Sequence, residues 1–265
     1  TNIMDSTDAG HTGKLTGVTA DLASIPGRLG RGLGFDGSDD RIDVAEASST
    51  GFMHDAYSNR SVTLWMKIDD LSATNLLYDE GGSDQGFAVR AADNAIDFAV
   101  KPEHILSSAY TQTGQWCHVS AVFSNGVMTL YVDGTNVAVS NTACAYIASH
   151  TDEGGFGGRC DNDSFGNTGW DGYLGGCLDD VRIYSFALTS NEVYGVYEIG
   201  ADPDGDELSN YDEYQAGSNP TLWDTDGDGV NDGAEQENGT DPTDENDPPN
   251  VSGQITYSGR QPGPI

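Results

Sequence analysis

The chain has 265 residues, with 43 Asp and Glu against 11 Lys and Arg and a formal net charge of −32. That balance argues against nucleic acid or an anionic membrane as a partner, since both are recognised through cationic patches. No stretch is apolar for long enough to insert in a bilayer. The charge suits a protein living in salt, where it is screened.

Taken in order, residues 32–45 (GLGFDGSDDRIDVA) read as a strand, a Gly/Asp turn and a second strand. Residues 61–68 alternate Val62, Leu64, Met66 and Ile68 against Thr63, Trp65 and Lys67, the period of a strand with one face in a core. Further strand signals fall at 76–78, 86–90, 95–100, 116–123, 127–132, 136–139 and 178–184, with turn residues such as Asp93-Asn94, Asn125-Gly126 and Asp133-Gly134 between them. Many strands joined by turns predict an all-β architecture of two packed antiparallel sheets. One short helix follows. Thr189 to Glu192 is a capping box, Val193, Val196 and Tyr197 form an apolar stripe, and Gly200 stops it.

Four Cys without CxxC spacing do not point to zinc; with the acidic loops of 202–235 taken next, they point to disulfides in an oxidising compartment. Of the three pairings that four Cys allow, Cys144–Cys160 with Cys117–Cys177 is preferred, and free buried thiols are the alternative. The first residue is Thr, which fits a secretory leader removed or omitted.

The span from Asp202 to Asp247 holds sixteen Asp and Glu and no Lys or Arg. Such a segment repels itself and stays disordered unless cations hold it. Asp224, Asp226, Asp228, Val230, Asp232 and Glu235 fall at offsets 1, 3, 5, 7, 9 and 12 of a calcium loop, with Gly229 at the sharp-turn position and Val230 offering its carbonyl. Asp202, Asp204, Asp206, Leu208, Asn210 and Glu213 repeat the pattern 22 residues earlier, except that Glu207 replaces the turn Gly, which strains the first loop. Hard carboxylate ligands favour Ca²⁺ over zinc, copper or magnesium. A disordered acidic tail is the alternative. The expected organisation is a sandwich over 1–200, the calcium repeats over 201–247, and a linker with the first strand of a following β domain over 248–265. A strand-like tail docked on the first domain is the other reading of that end.

The repeat core DTDGDGVNDGAE resembles thrombospondin type 3 repeats of bacterial secreted proteins. The resemblance implies calcium-filled spacers, with Asp241, Asp244 and Asp247 completing or bridging neighbouring sites. The blocks GLGFDGSDDRIDV, SVTLWMKI, QWCHVSAVFSNGVMTLYVDG and GYLGGCLDDVRIYSFALTSNEV resemble, in order, a laminin-G-like, concanavalin A-like domain, which implies a jelly-roll sandwich. That family usually opens with a Trp-containing strand; here the strand is lost or replaced. In this broad fold one calcium often sits between first and last strands, which implicates Asp36, Asp39 and Asp179. Turn chemistry is the plainer account of Asp beside Gly. The loop from Cys160 to Gly166, with Asp161 and Asp163 and then Asp171, is similar to the calcium-ligand segment of pentraxins, with Asp84-Gln85 in place of their Asp-Asn pair. A ligand-presenting calcium there competes with a solvated polar loop.

A sugar would also need apolar platforms. Tyr78, Phe87, Tyr110, Phe156, Phe165, Trp170 and Tyr173 lie in or near these loops, and Trp170 is the best stacking candidate. Arg90 and Arg159 could bond acidic glycans or form ordinary ion pairs. No strand carries the paired carboxylates of a retaining glucanase, and no zinc, Ser-His-Asp or phosphate-loop motif is present. The sequence therefore reads as a non-enzymatic, extracellular, calcium-binding recognition or adhesion module for a glycan or a surface protein. The alternative is a structural link of an adhesin, sheath or filament, with neighbouring domains and self-assembly. An atypical glycosidase is the third reading.

Overall fold

The computed structural model describes residues 2–4, 11–17, 25–44, 51–82, 84–100, 104–142, 144–159, 162–167 and 171–247. They belong to two compact units, Thr1–Ala201 and Asp202–Ile265. The first unit begins with β1 (Asn2–Met4), β2 (Thr12–Thr16), β3 (Ile25–Pro26), β4 (Arg31–Asp36) and β5 (Arg41–Val44). It continues with β6 (Asn59–Ile68), β7 (Asn75–Gly81), β8 (Gly86–Ala92), β9 (Ala95–Val100) and β10 (Ile105–Ala109). The strands end with β11 (Trp116–Ser124), β12 (Val127–Val132), β13 (Thr135–Asn141), β14 (Gly154–Phe156) and β15 (Gly175–Tyr184). Helix α1 (Ser190–Ile199) closes the unit.

Eight strands form one sheet in the order β1-β2-β5-β14-β7-β8-β9-β10, and seven form the other, β13-β12-β11-β6-β15-β4-β3. The core lies between them. Val62, Leu64, Met66 and Ile68 of β6 meet Leu77, Phe87, Val89 and Phe98 of the other sheet, as the alternation predicts. The opposite face of β6 is buried too, because the segment after β15 folds back over it. Ser61 Oγ donates to Phe186 O (2.9 Å) and accepts from Leu188 N (2.9 Å). Tyr197 of α1 stacks on Trp65 at 5.7 Å between ring centroids. Gly200 leaves the helix against Trp65; a Cβ there would lie 2.6 Å from Trp65 Nε1. Trp65 is thus buried under α1 and not in the central core.

The N-terminal stretch forms β2, which pairs with β5 from Gly13–Val44 to Thr16–Arg41 and carries no Trp, in line with a replaced opening strand. Cys117, Cys144 and Cys177 are free thiols, so neither preferred disulfide forms. Cys117 faces Met66 and Cys177 faces Lys67 across β6. The two Cys are therefore two strand spacings apart, roughly 9–10 Å, and on opposite faces, whereas a disulfide needs Cα atoms within about 7 Å. Cys160 lies outside the described residues, as does the expected strand beyond 248. Finally, the short β10 and β14 had no clear sequence signal; β14 is only three residues, two of them Gly.

The second unit contains α2 (Asn210–Ala216) and α3 (Asp232–Asn238). Ser209 and Asn231 cap their N-termini, and Gly217 (φ 85°) and Gly239 (φ 75°) close them in the left-handed region. Among the described residues no helix is long and apolar enough to cross a membrane.

Candidate metal centres and ligand face

The repeats are built around their acids. Asp202 accepts the N–H of Gly205 (2.8 Å) and Glu207 (3.3 Å), and Asp224 accepts those of Gly227 (2.7 Å) and Gly229 (2.9 Å). The first acid of each loop thereby curls the chain over the ligand positions. Leu208 and Val230 each donate their N–H to the carboxylate two residues earlier, both at 2.8 Å. Glu207 is held at φ 80° where the second loop has Gly229 at φ 98°, the strained turn expected of a side chain at that place.

Three carboxylate groups result, each with one oxygen per residue within 4.8 Å of the others: Asp202, Asp204 and Asp206; Asp224, Asp226 and Asp228; and Asp206, Glu213 and Asp232. The third was not read from the sequence. Asp232, counted as position 9 of the second loop, meets Asp206 and Glu213 of the first, while Gly233 donates its N–H to Asp206 (3.0 Å) and Thr225 donates to both Asp232 oxygens (2.8 and 2.6 Å). Offsets counted within one loop cannot reveal contacts between loops. Asn210 begins α2. Asp241, Asp244 and Asp247, expected to complete neighbouring sites, are exposed and stay within their own turn, where Asp241 accepts from Thr243 (2.7 Å).

These residues fit a hard divalent cation. Glu235 is fully buried, yet neither of its oxygens has a hydrogen-bond partner, and the same holds for the buried oxygens of Asp204. Burial, with the charges of Asp226, Asp228, Asp232 and Asp224, pushes the Glu235 carboxyl up to about 7. Carboxylates left in this state need a counter-charge, and Ca²⁺ supplies one with six to eight oxygen ligands. In that role Asp202, Asp204, Asp206 and Glu213 would serve the first loop, and Asp224, Asp226, Asp228 and Glu235 the second.

In the sandwich the acids separate. Asp36 and Asp39 cluster with Asp40, not with Asp179. Gly175 lies opposite Asp36 and Leu178 opposite Leu33, so Asp179 is farther along β15. There it accepts the N–H of Arg28 (2.6 Å) and Leu29 (2.7 Å) and organises that turn. Asp40 accepts from Asp36 N (2.9 Å) and Asp36 from Ser38 N (2.8 Å), so the turn uses these carboxylates, which still offer one oxygen each within 4.8 Å of one another.

Asp163, read as an open ligand, is a buried hub. One oxygen accepts from Phe165 N (3.0 Å) and Asn167 N (2.9 Å), and the other pairs with Arg159 Nε (2.9 Å). Arg159 also pairs with Asp171 (2.5 Å), whose side chain is 62% exposed. Asp84 is exposed, and Gln85 accepts from Ala148 N (2.9 Å). Among the described residues Asp84, Asp163 and Asp171 do not form one cluster; Asp161 and Trp170 lie outside the described residues. Tyr78, Phe87 and Tyr110 are core side chains and offer no platform. Phe165 lies over Arg90 at 4.0 Å, and Arg90 pairs with Asp97 (2.9 Å), an ordinary ion pair. Tyr173 remains half-buried beside Gly158. Nothing in the residue pattern hinted at the buried ion pair between Arg60 and Glu80, which also takes the Tyr78 hydroxyl.

A model of the concanavalin A-like lectin/glucanases superfamily matches residues 36–194. The chain belongs to this superfamily. The bacterial TSP3 repeat matches residues 202–222 and 224–245. No curated protein matches significantly. Among solved structures, this superfamily member is similar to domain 4 of an extracellular arabinanase from Geobacillus stearothermophilus, in complex with arabinotriose. The TM-score is 0.58 at 20% identity, covering 74% of this chain and 93% of that one. It is also similar to the binding domain of botulinum neurotoxin serotype G (TM-score 0.56, 14% identity, 73% and 47% covered). The binding domain of Paraclostridial Mosquitocidal Protein 1 gives 0.54 and 14%, with 74% and 51% covered. The chain thus spans about half of each toxin structure, and at these identities the likeness is one of fold.

Proposed function

We propose that the chain is a calcium-binding, extracellular recognition module: its sandwich binds a polysaccharide or surface glycan, and its repeats form a calcium-stiffened spacer toward neighbouring domains. The observation that carries this reading is the joining of a lectin-superfamily sandwich to repeats whose buried side chains are mostly carboxylates. The arabinanase domain, of similar fold over nearly its whole length, holds an arabinose oligosaccharide, which supports a sugar as the ligand class. Asp171 and Tyr173, with Trp170 beside Asp171 in the sequence, are the residues best suited to it, because Tyr and Trp present a ring face and a polar handle together. Calcium would act there as support and not as a reagent. No catalytic role is assigned.

Affinity electrophoresis against arabinan, other plant and microbial polysaccharides, and a glycan array, each in calcium and in EGTA, tests the reading. Retardation by at least one glycan, weakened by Tyr173→Ala, is expected. Silence across the panel in calcium-loaded protein would transfer the case to the structural alternative. That alternative has its own support: Tyr214 (79% exposed) and Trp223 (47%) project from the repeats, as protein-contacting side chains do. Concentration-dependent sedimentation would reveal self-assembly through them.

A further inference from the structure

The side of the sandwich formed by β10 to β13 is nearly free of charge. Between His104 and Thr151 the one residue among Asp, Glu, Lys and Arg is Asp133, although the whole chain carries 43 acids and 11 bases. Both sheets end there in an open edge. β13 is the last strand of the seven-stranded sheet and β10 the last of the eight-stranded one, and the two strands lie next to each other. The opposite edges are blunted: β1 has three residues, and β3 has two, of which Pro26 has no N–H to donate.

Nothing blunts β13. Its seven residues, Thr135–Asn141, include no charge and no proline. Ala138 packs against the core, so Val137 and Val139 turn to the outer face, where they are 40% and 55% exposed. A bulge opposite Tyr131 is confined to one end, and Ala138 to Asn141 run in regular register against Leu130 to Val127. Among the described residues no backbone group of β13 bonds to anything beyond the β12 ladder. The exposed Tyr194 of α1 stands beside Gly134 at the head of the strand and widens the apolar face.

We propose that β13 pairs with β13 of a second copy of this chain, antiparallel and about a two-fold axis, so that the two seven-stranded sheets become one. An open edge presents unpaired N–H and C=O groups and takes another strand. A strand paired antiparallel with its own copy is self-complementary, as an isologous interface must be. Charge selects the copy as the occupant. At −32 two chains repel each other over most of their surface. They approach with least repulsion through the uncharged side, with acids farther off than about 8–10 Å screened by salt. A charged partner finds nothing there to pair with. With the regular stretch as the centre, Val139 faces Val139 of the second copy, and Ala138 faces its Ser140. This interface belongs to the sandwich and not to Tyr214 and Trp223 of the repeats, and it stands whether or not the sandwich binds a glycan.

Sedimentation equilibrium of the full chain in calcium tests it. A monomer–dimer equilibrium is expected. Val139→Lys sets two like charges opposite each other and should weaken the dimer about tenfold, with the melting temperature unchanged because the side chain is exposed. Trp223→Ser should leave the dimer as it is. Amide exchange read by mass spectrometry should slow over 135–141 as the wild type is concentrated, and should not slow in Val139→Lys. A chain that stays monomeric up to about 1 mM overturns the proposal, even where another protein takes this edge. A dimer equally strong in Val139→Lys, with no slowing over 135–141, overturns it too.

Discussion

The two units are stabilised in opposite ways. In the sandwich the fully buried large side chains are Tyr78, Phe87, Phe98, Phe123 and their aliphatic neighbours, whereas among the described residues beyond Ala201 the buried ones are Asp206, Ser209, Glu213, Asp232, Glu235 and Pro242. The repeats also turn Tyr211, Tyr214, Leu222 and Trp223 outward. Removing apolar surface from water drives the first unit, at roughly 25 cal/mol per Å². The second unit has acids at its centre, and bringing like charges together out of water opposes folding until a cation joins them. Hydrophobic burial is carried within the chain, so the sandwich can fold by itself; on the proposed calcium reading the repeats borrow their stability from the solution.

The strongest way to break this contrast is to remove the ion. In EGTA the 202–247 segment should lose its helices and become the first place a protease cuts, while the sandwich persists. Limited proteolysis with mass mapping checks it, and equal protection in EGTA and calcium would sink the idea. The converse experiment strikes the sandwich alone. Arg60→Leu leaves Glu80 buried without its ion-pair partner and should cost about 3–5 kcal/mol in urea unfolding of that unit. Adding Glu80→Leu should recover much of the loss, and the calcium count should not move. Within the repeats, Glu235→Gln removes one charge of the bidentate ligand and should weaken calcium binding at least about tenfold by titration calorimetry.

Acidity sharpens the contrast further. Without calcium the folded Glu235 carboxyl sits at about 7, above its ordinary value, so the folded state keeps a proton that the unfolded state releases as pH rises from about 4.5 to 7. The ion-free repeats should therefore be more stable at pH 5 than at pH 8. With calcium the order should invert, because binding expels that proton. Melting curves at both pH values, with and without calcium, decide it, and parallel pH trends would contradict it. The smallest effect is expected from Glu207→Gly, which relieves a side chain held at φ 80°. A gain of about 1 kcal/mol in the calcium-loaded melting is predicted, with no gain from the matching change Leu208→Gly.

Much of this was open to sequence reading, and the failures share a cause. The alternation of Val62, Leu64, Met66 and Ile68 and the offsets of Asp224 to Glu235 are local regularities, and local regularities survive in one dimension. The capping box at Thr189 belongs with them: its side chain accepts from Glu192 N, and Glu192 returns a bond to the Thr189 backbone. Asp179 and Asp163 looked like metal ligands because their type and spacing suited one. What each carboxylate touches depends on the strand beside it and the loop above it, and both turned out to be bound to N–H groups of the protein.

The sequence by itself determined the all-β class, the helix that closes the sandwich and the two acidic loops, because periodicity, capping and ligand offsets are set by residues within a dozen positions of one another. Only the tertiary structure decided that Cys117 and Cys177 stand on opposite faces of a sheet, that Asp232 joins Asp206 and Glu213 across two loops, and that Asp79 lies buried with no hydrogen-bond partner for its oxygens. Those outcomes depend on strand order and on which segment covers which face, and both are set by packing between residues far apart in the chain.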